Sequence, residues 1–89
     1  MQYVYIIQSK KNGELYTGCT KDLKSRLVLH NAKKVASTKK NTPFAIIYYE
    51  AYIDSKDAYN REKYMKTQYG RNHIKKVLSN FFISKNFLG

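Results

Sequence analysis

The chain is poor in several residue types at once. Its 89 residues hold one cysteine, one proline, four glycines and no tryptophan. A single thiol, Cys19, excludes an internal disulfide and any zinc site built from several cysteines, and it fits a reducing cytoplasm. In a strand such a residue reads as a small core side chain. No apolar run reaches the roughly twenty residues that a membrane-spanning helix needs. Residues 1–7 carry no basic leader and their apolar run stops at Gln8, so no secretory signal and no membrane attachment is expected. Acids are the scarcest group that matters: six Asp and Glu stand against seventeen Lys and Arg, a formal charge of +11.

So basic a surface points to a polyanionic partner, with nucleic acid ahead of an acidic membrane. At 43% apolar and 15% aromatic the chain is too hydrophobic for a disordered basic tail. The length suits one domain over residues 1–89 and excludes a large multi-domain enzyme. Fourteen lysines against three arginines is a ratio that an AT-rich genome produces unaided. Codon bias does not explain why the acids are few.

Residues 3–9 and 14–20 are β-rich runs around Lys11-Asn12-Gly13, and Asn-Gly is a strong hairpin signal. Thr20 or Asp22 caps a helix reaching about Asn31. Residues 33–42, with four lysines, read as an exposed basic loop ended by Pro43. Residues 44–53 read as a third strand. Asp54, Ser55 and Asp57 open a second helix to about Gln68, Gly70 punctuates, and a third helix runs from about Arg71 to Asn80. The tail, with Phe81, Phe82, Ile83, Phe87 and Leu88, is apolar enough to pack on the sheet or on a partner chain. The fold class is α+β: a small three-stranded antiparallel sheet flanked by helices in the order ββαβαα.

With Asn12-Gly13 as a two-residue loop, Ser9 faces Tyr16, Ile7 faces Gly18 and Tyr5 faces Thr20. Tyr5, Tyr16 and Gly18 then share one sheet face, and the glycine leaves a gap between two phenols. Those tyrosines are either packing residues or the walls of a site. On the first helix, at ~100° per residue with Leu23 as origin, Leu27 lies at about 40°, His30 at about −20° and Arg26 at about −60°. His30 is inside the apolar stripe and Arg26 borders it, so Arg26 needs an anion from a side chain or a ligand. On the second helix, with Ala58 as origin, Met65 lies at about −20°, Tyr69 at about 20° and Glu62 at about 40°. A carboxylate there must be paired with Arg26, paired with Lys66 four residues on, or bound to a metal. One carboxylate suits one Mg²⁺ held mostly through water and phosphate.

Read in order, Tyr3-Val4-Tyr5, Tyr16-Thr17-Gly18, residues 21–27 (KDLKSRL) and His30-Asn31 resemble the GIY-YIG nuclease superfamily. Thr42-Pro43-Phe44, Tyr48-Tyr49-Glu50, residues 58–62 (AYNRE) and residues 66–71 (KTQYGR) continue the pattern, from about residue 2 to 78. The chain is most similar to small stand-alone bacterial members. Tyr3 stands where the first motif has glycine, and Thr17 where isoleucine is usual. Many members carry an Asn after the metal-binding Glu, for which Asn72 is the nearest candidate. No appended DNA-reading domain of the homing-endonuclease or restriction-enzyme kind is expected.

The resemblance implies a single-metal endonuclease site. Tyr5 and Tyr16 become paired phenols, with Tyr5 preferred as the base that activates water. Gly18 leaves room in the sheet, Arg26 holds the scissile phosphate, and His30 hydrogen-bonds the nucleophile or Tyr5. Glu62 coordinates Mg²⁺ or Mn²⁺. A phenol with an ordinary pKa near 10 needs neighbouring cations for this work. The implied substrate is DNA rather than RNA, branched or nicked in repair or recombination, cut by a monomer or weak homodimer. The rival expectation is a catalytically inactive nucleic-acid-binding module. Candidate phosphate contacts are Lys10, Lys11, Lys33, Lys34, Lys39, Lys40 and Arg71.

Overall fold

The computed structural model describes residues 1–88. Strands β1 (Gln2–Ser9), β2 (Leu15–Thr20) and β3 (Phe44–Tyr52) form an antiparallel sheet in the order β2-β1-β3. Helix α1 (Leu23–Asn31) covers one face, and α2 (Ser55–Met65), α3 (Gln68–Val77) and α4 (Ser79–Leu88) gather on the other. The α+β class and the three-stranded sheet are as expected. The tail forms a further helix, making the order ββαβααα.

Alternation along β1 builds the two cores. Val4 and Ile6 meet Ala58, Met65 and Ile74, with Cys19, Leu78 and Phe82 at the margin. Tyr5 and Ile7 point the other way, to Phe44 with Leu23 and Leu27 of α1. Seven of the eight residues of β1 are buried, as a central strand covered on both faces requires. Helix α1 has nine residues, too short to persist alone. Asp22 caps it, accepting from the Ser25 amide at 3.1 Å, and Leu23 and Leu27 hold it to the sheet.

The β1–β2 hairpin differs from the expected one. The connection spans residues 10–14 rather than two residues, and Gly13 supplies its left-handed position at φ 77°. The register is therefore shifted by two: Tyr5 faces Gly18 and Ile7 faces Tyr16. An even shift preserves side-chain parity, so Tyr5, Tyr16 and Gly18 still share a face. On the other side a bulge between Ile6 and Ile7 changes parity along β3. Phe44 and Ile46 thereby face α1, while Tyr48, Glu50 and Tyr52 pair with β1 residues of the opposite face.

The second helix stops at Met65, not Gln68. Thr67 donates to the Tyr64 carbonyl at 2.6 Å and accepts from the Gly70 amide at 3.2 Å, ending α2 and capping α3 together. Gly70 lies inside α3, not before it, and is needed for close approach: a Cβ there would overlap the Tyr64 carbonyl and the Met65 backbone. Tyr69, expected on the apolar stripe of α2, instead starts α3 and is 79% exposed. Phe82 packs on the core; the side chains of Phe87 and Leu88 lie outside the described residues.

Candidate active site

β2 is an edge strand, and α1 and α2 flank it from opposite faces of the sheet. Between them opens a cleft of about 330 Å³ lined by Tyr5, Tyr16 and Gly18 from the sheet, Arg26 and His30 from α1, Glu62 from α2, and Lys66 at the C-cap of that helix. The six residues singled out as catalytic or structural from sequence therefore line one cleft. Tyr59 of α2 and Thr38 of the basic loop complete its wall.

The Tyr5 phenol is buried, and its oxygen lies 2.9 Å from His30 Nε2. Arg26 Nε donates to the same oxygen at 3.4 Å. His30 Nδ1 is 2.7 Å from Thr38 Oγ1, and the imidazole stands edge-on to Tyr5 and Phe44. Burial, then the positive charge of Arg26, pushes the His30 pKa down, so the ring is neutral at pH 7. A Cβ on Gly18 would overlap the Tyr5 phenol, so this glycine is what admits the ring.

Tyr16 belongs to a different set. Its hydroxyl donates to Glu14 at 3.0 Å and accepts from Asn41 Nδ2 at 2.5 Å. Burial and the Glu14 carboxylate raise its pKa, against the weaker opposing effect of Asn41. Glu14 is exposed and serves as this acceptor.

Among the described residues no carboxylate pairs with Arg26. The expected alternative, an Arg26–Glu62 bridge, is not formed. Glu62 pairs with Lys66, the C-cap residue four positions on, at 3.0 Å, and its side chain is 21% exposed. No group of three or more His, Cys, Asp and Glu is arranged to hold a metal among the described residues. A single carboxylate oxygen donor opening on a polar cleft nevertheless fits a hard divalent ion that keeps most of its waters. Lys66 is 57% exposed and free to turn aside.

The remaining candidates lie outside the cleft. Lys10, Lys11, Lys33, Lys34, Lys39 and Lys40 are all exposed. The two loops that carry them are tied together by Lys11 Nζ to the Lys40 carbonyl at 3.0 Å and Asn12 to Asn41 at 3.1 Å. Arg71 lines a neighbouring groove with Lys66 and Lys75. Asn72 is exposed on α3 and accepts from Gln68 at 2.9 Å, without lining the cleft.

Sequence reasoning missed Thr38 and Asn41. Residues 33–42 read as an exposed loop, yet Thr38 is 1% exposed and a 3-10 turn at Lys39–Asn41 turns Asn41 toward Tyr16. It also missed a second polar cluster. Glu50 accepts from Arg61 at 2.9 and 3.1 Å and from the hydroxyls of Tyr48 and Tyr52, each at 2.6 Å. This network is internally paired and lies away from the cleft.

The sheet, its helices and a polar cleft at the edge strand place the chain among small α+β domains whose site forms where two faces meet. Comparison with known families makes this specific: the chain belongs to the GIY-YIG family, whose catalytic-domain model matches residues 1–75. It is similar to a UPF0213 protein of Staphylococcus haemolyticus, 41% identical over 66 residues, covering 73% of this chain and 79% of the relative. A UPF0213 protein of Staphylococcus epidermidis is 36% identical over 76 residues, covering 84% and 92%. No solved structure matches the chain. The family is one of nucleases, which implies a nucleic-acid substrate. Among the described residues no helix is long and apolar enough to cross a membrane.

Proposed function

We propose that residues 1–89 act as a single endonuclease domain that hydrolyses phosphodiester bonds in DNA with one Mg²⁺ or Mn²⁺. One observation carries this reading: Tyr5, Arg26, His30 and Glu62, from three separate elements, line the same cleft. A structural ion pair does not require that convergence, and Arg26 without a carboxylate partner is a guanidinium presented for an anion.

In this reading Arg26 holds the scissile phosphate and stabilises charge on its oxygens as water attacks phosphorus. Tyr5 is the base that takes a proton from that water. Its oxygen lies between His30 and Arg26, whereas Tyr16 is held in its protonated form beside Glu14. Tyr16 therefore shapes the cleft and orders Asn41. Glu62 would hold the ion once Lys66 turns aside. When bound, a divalent cation supplies Lewis-acid stabilisation of the leaving oxygen. The basic loops supply the outer field that brings the polyanion in.

The test is a cleavage gel with branched, nicked and single-stranded DNA and matching RNA, in Mg²⁺ or Mn²⁺. Cutting of DNA that is lost in Glu62→Ala and Arg26→Ala, with Glu62→Ala still binding, is the expected result. Binding that Glu62→Ala leaves unaltered, with no cutting of any substrate by the wild type, would establish a non-catalytic binding module instead.

A further inference from the structure

Thr38 is a buried polar side chain of the cleft wall for which the mechanism above has no use. It comes from a loop whose other residues are mostly exposed, yet it is 1% exposed and 2.7 Å from His30 Nδ1. Its hydroxyl also reaches the Val35 carbonyl at 3.5 Å. Together with the cleft residues this gives a chain of four hydrogen bonds: Arg26 Nε, Tyr5 oxygen, His30, Thr38 Oγ1, Val35 carbonyl.

The two ends of this chain set its direction. Arg26 has only donors and a carbonyl has only lone pairs. If every proton points the same way, four protons fill four bonds: Arg26 to Tyr5, Tyr5 to His30 Nε2, His30 Nδ1 to Thr38, Thr38 to Val35. Reversing the two central bonds forfeits the Thr38–Val35 bond and turns the Tyr5 proton into the cleft. Buried polar groups settle into the arrangement that satisfies most of them.

We infer that Thr38 is a positioning residue that fixes His30 in the Nδ1–H tautomer, so that Nε2 offers its lone pair to the Tyr5 hydroxyl. The consequence rests on the nuclease reading. As Tyr5 takes a proton from water, its own O–H bond breaks and that proton passes to His30 Nε2. The phenol is neutral before and after. The hydroxide forms its bond to phosphorus as the bond from phosphorus to the leaving oxygen breaks. That oxygen takes a proton from solvent, and the imidazolium returns its own proton to solvent at turnover. Thr38 then accepts from the Nδ1–H of the imidazolium, the orienting part that a carboxylate plays in Ser-His-Asp triads. A neutral hydroxyl does so without adding charge to a buried ring beside Arg26. The His30 environment is Tyr5 from β1, Arg26 from its own helix, Phe44 from β3 and Thr38 from the loop, and among the described residues no carboxylate lies within bonding distance.

Nitrogen-15 spectra of the two imidazoles in the free protein test the tautomer directly, with His73 identified by a His73→Gln variant. The wild type is expected to show a protonated Nδ1 and an unprotonated Nε2 at His30. Thr38→Val, nearly isosteric, should abolish that preference, and Thr38→Ser should restore it. A wild-type Nε2–H signature, or a Thr38→Val spectrum identical to wild type, overturns the inference. In the cleavage assay Thr38→Val should lower the rate by about 10- to 100-fold, the range for partners that orient a functional histidine, while Thr38→Ser stays near wild type. If the spectra behave as expected and no variant cleaves, the tautomer assignment stands and the nuclease reading fails.

Discussion

Gly18→Ala is the substitution whose outcome the geometry specifies most tightly. The added Cβ would lie 2.9 Å from Tyr5 Cε1 and closer still to the phenolic oxygen. Ordinary carbon contacts begin near 3.5 Å, so the ring must retreat by roughly an ångström at its hydroxyl end. It has nowhere easy to go: Tyr5 is 3% exposed, with Ile7 and Phe44 in the same cluster and His30 on its oxygen. Overpacking of this kind costs about 1–3 kcal/mol, offset by roughly 0.4–1 kcal/mol for the lower chain entropy of alanine in the unfolded state.

A net loss of about 1–2 kcal/mol lowers Tm by about 5–15 °C in a domain of this size, readable by circular dichroism. Because the hydroxyl is the atom overlapped most, Tyr5→Phe should relieve part of the strain. The cost of Gly18→Ala should then fall by more than about 0.5 kcal/mol in that background. Cleavage should be lost in Gly18→Ala at temperatures where it is fully folded, since displacing Tyr5 separates it from His30 and Arg26. A Tm within about 2 °C of wild type, or a double-mutant cycle additive within about 0.5 kcal/mol, would refute the claim that Gly18 exists to admit Tyr5.

Two further outcomes follow. Burial alone would raise the Glu50 pKa, but hydrogen bonds from Arg61, Tyr48 and Tyr52 and the charge of Arg61 hold it at about 2, against 4.5 in the unfolded chain. The folded value is the lower one, so this contribution, about 3 kcal/mol, is full above about pH 4.5 and is lost as pH falls through about 2. Urea unfolding of wild type and Glu50→Gln between pH 6 and 2 should show the two converging as acid is added; a constant difference would disprove it. Separately, the double substitution of Lys39 and Lys40 by alanine should reduce the salt slope of DNA affinity by about 2. An unchanged slope would remove that loop from the nucleic-acid surface.

What could be read from sequence was whatever repeats within one element. The angular positions of Arg26 and His30 on α1 needed only helical geometry, and both residues line the cleft. The hairpin reading had the wrong loop length, but an error of two residues leaves parity intact, so the shared face of Tyr5, Tyr16 and Gly18 survived it. The bulge opposite Ile6 and Ile7 was not legible, since no composition signal marks one extra residue in FAIIYYEAY. Nor was the role of Thr38 and Asn41. A loop residue has no period, and what places these two is contact with partners eight and twenty-five residues away in sequence. Glu62 was read as inward and in need of a partner, with Lys66 among the choices. Only the tertiary structure selects between those choices, because the side chain of Arg26 turns to Tyr5 on the far face of the sheet.

That last point explains why the site sits on β2. A sheet is a wall: α1 packs on one face of β1 and α2 on the other, so over the central strand Arg26 and Glu62 would be separated by backbone. At an edge strand the wall ends. Side chains from the two faces can bend around Thr17, Gly18 and Cys19 and enter one cleft, and a strand with an unpaired outer edge leaves that cleft open to a bulky polymer. Glycine at the middle of those three positions removes the one side chain that would occupy the space where Tyr5 stands. Closing the edge with a fourth strand would protect β2, but it would divide Arg26 from Glu62. In this protein the exposed edge is therefore a condition of bringing the site together.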